Sequence, residues 1–124
     1  MSEVRRARGA AARLSGRRGE VLAAVWLMAK GYRILGFRLA ASQGEIDLLA
    51  FRRGVLAVIE VKRRRTLEAA LEAVRPTQRD RLRRAATQIA SRRPALRDAA
   101  IRLDLFALAP GRMPRHIPDA WRGG

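Results

Sequence analysis

The sequence predicts a single α/β domain, a mixed sheet with helices packed on it. Three observations predict it. A length of 124 residues is that of one domain. Apolar residues recur with a helical period in some stretches and alternate strictly in others. The elements follow in the order helix, strand, strand, strand, helix, strand, so the last strand must return to the sheet across a long helix.

Residues 1 to 14 are rich in Arg and Ala without a stable apolar stripe, which reads as a mobile basic arm ahead of a domain at 15 to 124. From Ser15 or Gly19 to Lys30, the residues Val21, Leu22, Val25, Trp26 and Met28, with Ala23, Ala24 and Leu27 between them, make a helix apolar on nearly all sides. Such a helix is expected to be buried, and Gly31 is its stop. Leu35, Phe37 and Leu39 alternate within a first strand over Tyr32 to Leu39, and Ala40 to Gly44 reads as a loop. Glu45 to Phe51 and Val55 to Lys62 are β-rich runs around Arg52-Arg53-Gly54, a hairpin-length turn, and should pair antiparallel. Leu67 to Val74 forms a short irregular or helical connection before Pro76. Thr77 with Asp80 gives a capping-box-like start to a helix whose Leu82, Ala85, Ala86, Ile89 and Ala90 share one face. That helix ends near Arg92-Arg93-Pro94. Ile101, Leu103, Leu105 and Ala107 alternate as the last strand, and a Pro- and Gly-rich tail follows.

Composition removes most enzyme classes. No Cys is present, which excludes disulfide scaffolds, Cys zinc sites, iron–sulfur clusters and thiol nucleophiles, and one His leaves little for a catalytic triad. The net charge of +16 favours a polyanionic partner, by default nucleic acid. Membrane is not expected: the longest apolar run, Val21 to Ala29, is far shorter than the roughly 20 residues a span requires. The basic residues before that run do not make a signal peptide, since Glu20 interrupts the junction and no small-x-small site follows Ala29, so the chain reads as cytoplasmic. Among the 27 Lys and Arg residues only Lys30 and Lys62 are lysine, a bias that reads first as coding composition and second as a pointer to places where a compact ammonium is wanted.

Strand periodicity places Ile46, Leu48 and Ala50 on one face and Glu45, Asp47 and Leu49 on the other, while Glu60 and Lys62 share a face of the next strand with Val58. A two-residue loop at Arg53-Gly54 puts Asp47 opposite Glu60 and Glu45 opposite Lys62. Apposed carboxylates repel, and a hard cation would relieve them. Mg²⁺ or Mn²⁺ suits oxygen ligands and could act on a phosphodiester, with Lys62 at its edge polarising water or neutralising phosphoryl charge.

These residues carry a resemblance. Gly44-Glu45-Ile46-Asp47 followed by Ile59-Glu60-Val61-Lys62, behind a helix opening Gly19-Glu20, resembles the PD-(D/E)XK nuclease superfamily and within it the YraN-like family of bacterial proteins. The likeness runs from about Gly16 to Trp121 and includes Gly31-Tyr32, the basic helix after Pro76, Arg102-Leu103-Asp104, and His116 with Trp121. It implies a restriction-endonuclease-like αβββαβ core close to Holliday-junction resolvases. Carried over by position, it implies Asp47 and Glu60 as ligands of Mg²⁺ or Mn²⁺, Lys62 as the catalytic lysine, Glu20 as a further acid from the first helix, and Gln78 as a contact to water or phosphate. It also implies an endonuclease with DNA ahead of RNA as partner, a branched or structured substrate, and a homodimer. The chain departs from the superfamily in having Ile46 where a Pro is usual, and in a stretch Arg65 to Val74 that is short and lacks an aromatic-glycine element.

Plainer readings stand beside these. Asp47, Glu60 and Lys62 could form a cross-strand ion-pair cluster. Glu20 in a first helical turn is favoured by the macrodipole alone. Arg17, Arg18, Arg63, Arg64, Arg65, Arg79 and Arg83 are the arginines read as phosphate contacts, against the alternative of solvated faces. Trp26, Phe37 and Phe51 read as core, His116 as a packing residue, and Asp104 as a structural acid paired to an Arg. The alternatives to an enzyme are a non-catalytic nucleic-acid-binding module or an RNA- or ribosome-associated adaptor on the same fold.

Overall fold

Two turns set the sheet. Arg53 and Gly54, with φ of 48° and 77°, form the two-residue turn that joins strands Gly44–Arg52 (β2) and Val55–Arg63 (β3). Ser42 and Gln43 turn the preceding strand, Arg33–Ala41 (β1), back into β2, so the expected loop at Ala40 to Gly44 is shorter than read. The Ser42 N–H and hydroxyl both donate to Gln88 Oε1 and fasten this turn to a helix. The structure, a computed structural model, describes residues 17–122, and the arm read at 1–14 lies outside the described residues.

Helix α1 covers residues 17–29, α2 is Leu67–Glu72, and α3 is Pro76–Ser91. A short 3-10 turn, Pro94–Leu96, leads into strand Ala100–Leu108 (β4), and Arg115–Ile117 (β5) completes the sheet. The strand order is β1-β2-β3-β4-β5, antiparallel except for the β3–β4 pair, which the α2–α3 crossover makes parallel. This is the restriction-endonuclease-like α/β architecture expected, with β5 added where a tail was read.

The sheet lies between helices. Leu48, Ala50, Ala57, Ile59 and Phe106 pack against Ala23, Ala24 and Leu27 of α1. On the other face Leu49, Leu56, Val58 and Leu103 meet Leu82, Ala85, Ala86 and Ala90 of α3. Alanines on both helices let the backbone approach the sheet closely. Gly19 goes further: a Cβ there would meet Leu108 at 3.0 Å and Val61 at 3.3 Å, so its absence brings the first turn of α1 down onto β3 and β4.

Three expectations are corrected. α1 is buried on one face only, because Val21, Leu22, Val25 and Met28 are exposed; a helix apolar all round does not reveal by periodicity which side is covered. Phe37 is also exposed, at the edge strand β1 where a bulge at Leu35 shifts the alternation. The Thr77–Asp80 cap does not form: Pro76 occupies the first turn, its fixed φ starting α3 two residues earlier, and Arg75 caps it without a side-chain bond.

Candidate active site

The register read from the turn holds for five pairs, from Arg52↔Val55 to Leu48↔Ile59, and then the ladder stops. Beyond Leu48, β2 stays paired to β1 down to Gly44, while β3 stays paired to β4 through Arg63. The two strands therefore part at Asp47 and Glu60. Alternation resets in the same place, since Ile46 packs in the α3-side core with Leu49 while Leu48 packs on the α1 side. The expected shared face of Ile46, Leu48 and Ala50 is thus broken by the splay, and neither expected cross-strand pairing, Asp47–Glu60 or Glu45–Lys62, is made because the ladder ends first.

The fork is lined by polar groups from both strands. Asp47 Oδ2 accepts the Val61 N–H at 3.1 Å, taking the place of the missing ladder partner. Glu60 is only 3% exposed, and its Oε1 has no hydrogen-bond partner. Lys62 Nζ stands 3.9 Å from Glu60 Oε2. Burial, and then the charge of Asp47, push the Glu60 carboxyl up to about 8, with Lys62 and then the Asp47 backbone N–H offsetting only part of the rise. Burial also raises Asp47; the Val61 N–H and Lys62 act against it, and the charges of Glu20 and Glu45 add to it. A pair of buried carboxylates short of positive charge is the arrangement that results.

Glu20 reaches this region from α1, brought in by the close approach at Gly19. Both of its oxygens accept from Arg38 Nε, at 3.1 and 3.0 Å. Arg38 was not singled out in the sequence; it lies in β1 between Phe37 and Leu39, across from Asp47, with φ of 48°. No sequence signal announces a non-glycine residue at positive φ. Glu45 faces a cleft of about 490 Å³ that it shares with Gln78, Arg75 and Arg81. Gln78, near the start of α3, thus lines a cleft with Glu45 whose walls do not include Asp47, Glu60 or Lys62.

The arginines divide. Arg17, Arg18, Arg63, Arg64, Arg65 and Arg83 are exposed, while Arg79 is half-buried with its guanidinium over the Trp121 ring. Trp121 in turn donates to Leu71 O and fixes the chain end against α2. His116 and Asp104 belong to a separate cluster described below, in which Asp104 pairs with Arg102 as expected.

The donor set decides which cation fits. Among the described residues no group of three or more His, Cys, Asp or Glu side chains is placed to hold a metal ion. Mg²⁺ does not need one, since it retains several waters and is commonly held by one or two carboxylates. Asp47 and Glu60, with the orphaned Oε1, fit that mode of binding.

Fold and site together define a small α/β domain with a restriction-endonuclease-like core and a buried acidic pair beside a lysine, at the point where two strands part. The chain belongs to the uncharacterised protein family UPF0102, whose family model matches residues 19–108. It is 70% identical over 120 residues to a UPF0102 protein of Caulobacter vibrioides, spanning 97% of this chain and 96% of that protein. A relative from Caulobacter sp. strain K31 is 74% identical over 117 residues (94% and 84% of the two chains), and one from Paramagnetospirillum magneticum is 48% identical over 116 residues (90% and 90%). Among the described residues no helix is long and apolar enough to cross a membrane.

Proposed function

We propose that this protein is a divalent-metal-dependent phosphodiester hydrolase of the PD-(D/E)XK type, an endonuclease acting on DNA in preference to RNA and on branched or structured DNA in particular. The observation that carries this reading is the Glu60 carboxylate, buried, with one oxygen unpartnered, beside a second carboxylate and a lysine in a chain of charge +16. A cross-strand ion-pair cluster would satisfy its own acids, and this one does not.

In this reading Asp47 and Glu60 hold Mg²⁺ or Mn²⁺, and such an ion supplies Lewis-acid stabilisation and water activation. Asp47 is aimed by the Val61 N–H, which fixes its carboxylate in the fork. Lys62, with its side chain mostly buried against Glu60, holds a proton-bearing ammonium where the attacking water or the phosphoryl oxygens pass. Glu20 is held by its ion pair with Arg38, and its remaining charge raises Asp47. Gln78 contacts phosphate or water at the mouth of the cleft. The exposed arginines at 17, 18, 63 to 65 and 83 supply contacts to phosphate that position the strand without reading its sequence.

The test is incubation with branched, single-stranded and duplex DNA and with RNA, in Mn²⁺, Mg²⁺ or EDTA, beside Glu60→Ala prepared identically. Metal-dependent cleavage of DNA that disappears in the variant is the expected result. Salt-sensitive binding with no cleavage in any metal would contradict hydrolysis and leave a nucleic-acid-binding module.

A further inference from the structure

A second cleft opens beside the fork, at the carboxyl ends of the parallel strands β3 and β4, where α/β sheets commonly bind ligands. It measures about 510 Å³ and lies between the start of α2 and the β4–β5 connection. Its walls are apolar, formed by Leu67, Ala107, Leu108 and Met113, and Met113 is 73% exposed at the mouth. Its rim is basic: Arg65, Arg112 and Arg115 border it, and among the described residues none of the three pairs with a carboxylate. Glu68 is the one acid on the lining, so the rim carries a surplus of positive charge.

Register ties this cleft to the fork. Lys62 is paired with Ala107, and Ala107 with Arg115, so the three stand in one row across the sheet. At a strand spacing of about 4.8 Å, Arg115 is roughly 10 Å from Lys62 along the row. That is the reach of about three stacked nucleotides, at about 3.4 Å each, or of fewer once the strand is unstacked.

Resting on the reading of the fork as a phosphodiesterase site, we propose that this cleft receives one unpaired nucleotide next to the scissile phosphodiester. The base enters the apolar cleft, and the flanking phosphates meet Arg65, Arg112 and Arg115, whose planar guanidinium groups suit both phosphate and a base face. A base held in a duplex is stacked and cannot enter, so the cleft selects substrates that already carry an unpaired nucleotide beside the cut, where the cost of unstacking is least. This gives the preference for structured DNA a location on the protein.

The experiment measures binding in EDTA, so that cleavage plays no part. Two probes are used, a blunt duplex and the same duplex with a single-stranded extension carrying 2-aminopurine at its first unpaired position. Wild-type protein is expected to bind the extended probe about tenfold more tightly, an effect on the scale of one sequestered base, with a change in 2-aminopurine emission. Ala109→Trp, at a half-buried position on the cleft wall, should abolish both the preference and the emission change while leaving the blunt duplex affinity unaltered. The surface double variant Arg112→Gln, Arg115→Gln should also bring the ratio of the two affinities close to one, and serves if the Trp variant does not fold. Equal affinity of the wild type for both probes, or a preference that survives these substitutions, overturns the proposal while the fork reading stands. Failure of the wild type to bind either probe overturns both.

Discussion

Two carboxylates are buried on neighbouring strands, and their surroundings differ in every respect that matters. Asp104 in β4 is paired in register with Ile59, the residue before Glu60 in β3. Asp104 is fully buried and fully satisfied: Arg102 donates to both oxygens at 2.8 Å, His116 Nε2 donates at 2.8 Å, and the Asp119 N–H at 3.0 Å. The Lys30 ammonium can only donate, so it holds His116 Nδ1 as an acceptor at 2.9 Å and leaves Nε2–H for Asp104. Burial alone would raise the Asp104 carboxyl, but Arg102, His116 and Asp119 outweigh it and hold it below the usual carboxylate range. Glu60, nearly as buried, has an oxygen with no partner and is pushed up to about 8. The comparison teaches that burial does not determine what an acid does. Asp104 ties the chain end to α1 and β4, whereas Glu60 is left with an oxygen that has no partner.

The largest expected effect comes from breaking the satisfied site. Asp104→Ala leaves Arg102 and His116 facing an emptied pocket and should cost about 3–5 kcal/mol, the usual penalty for removing one partner of a buried pair. A fall of roughly 10 °C or more in thermal midpoint, followed by circular dichroism, is the readout. Glu60→Gln should behave oppositely. It should abolish metal-dependent cleavage, yet leave stability unchanged below about pH 4.5 and raise it progressively from there to about pH 8, because glutamine spares the fold the penalty that the buried acid accrues over that range.

The two acids also give pH dependences of opposite sign. Below its ordinary value of 4.5, Glu60 is protonated whether folded or not, and its contribution is intact. Between 4.5 and about 8 the folded protein keeps a proton that the unfolded chain has released, so stability falls as pH rises and the loss is complete above about 8. Asp104 contributes fully above its ordinary 3.8, and that contribution disappears as pH falls through its lower folded value. A bound cation competes with the Glu60 proton, so millimolar Mg²⁺ should raise the thermal midpoint more at about pH 9 than at about pH 6. An equal rise at both would separate the ion from Glu60. The smallest effect belongs to Lys30→Met, which removes an exposed contact to His116 and should cost about 1 kcal/mol or less in urea denaturation.

Much of this was legible in the residues. The Arg53-Gly54 turn fixed the β2–β3 register from Arg52↔Val55 to Leu48↔Ile59, and a two-residue turn leaves no freedom for a slip, so Asp47 and Glu60 are the first residues beyond the ladder on either side of the fork. The point at which the ladder ends was not legible. It depends on β2 following β1 while β3 follows β4, a competition between neighbours far apart in sequence, and it moved Ile46 to the other core and left Glu45 away from Lys62. Arg38 was invisible because nothing in a strand pattern marks a positive φ or a partner 18 residues away. β5 was missed because Arg115, His116 and Ile117 are a short run between prolines, made a strand by pairing with β4 and by the anchor at Asp104. The Lys–Arg bias proved informative in both places. Lys62 stands beside Glu60, and Lys30 orients the histidine that satisfies Asp104.

The most direct test of the difference between the two acids is a calorimetric titration of Mn²⁺ into wild-type protein, Glu60→Gln and Asp47→Asn, each shown to be folded. One equivalent bound by the wild type and none by either variant is the predicted result. Binding that persists unchanged in Glu60→Gln would contradict the account, since the unsatisfied carboxylate would then not be a cation site.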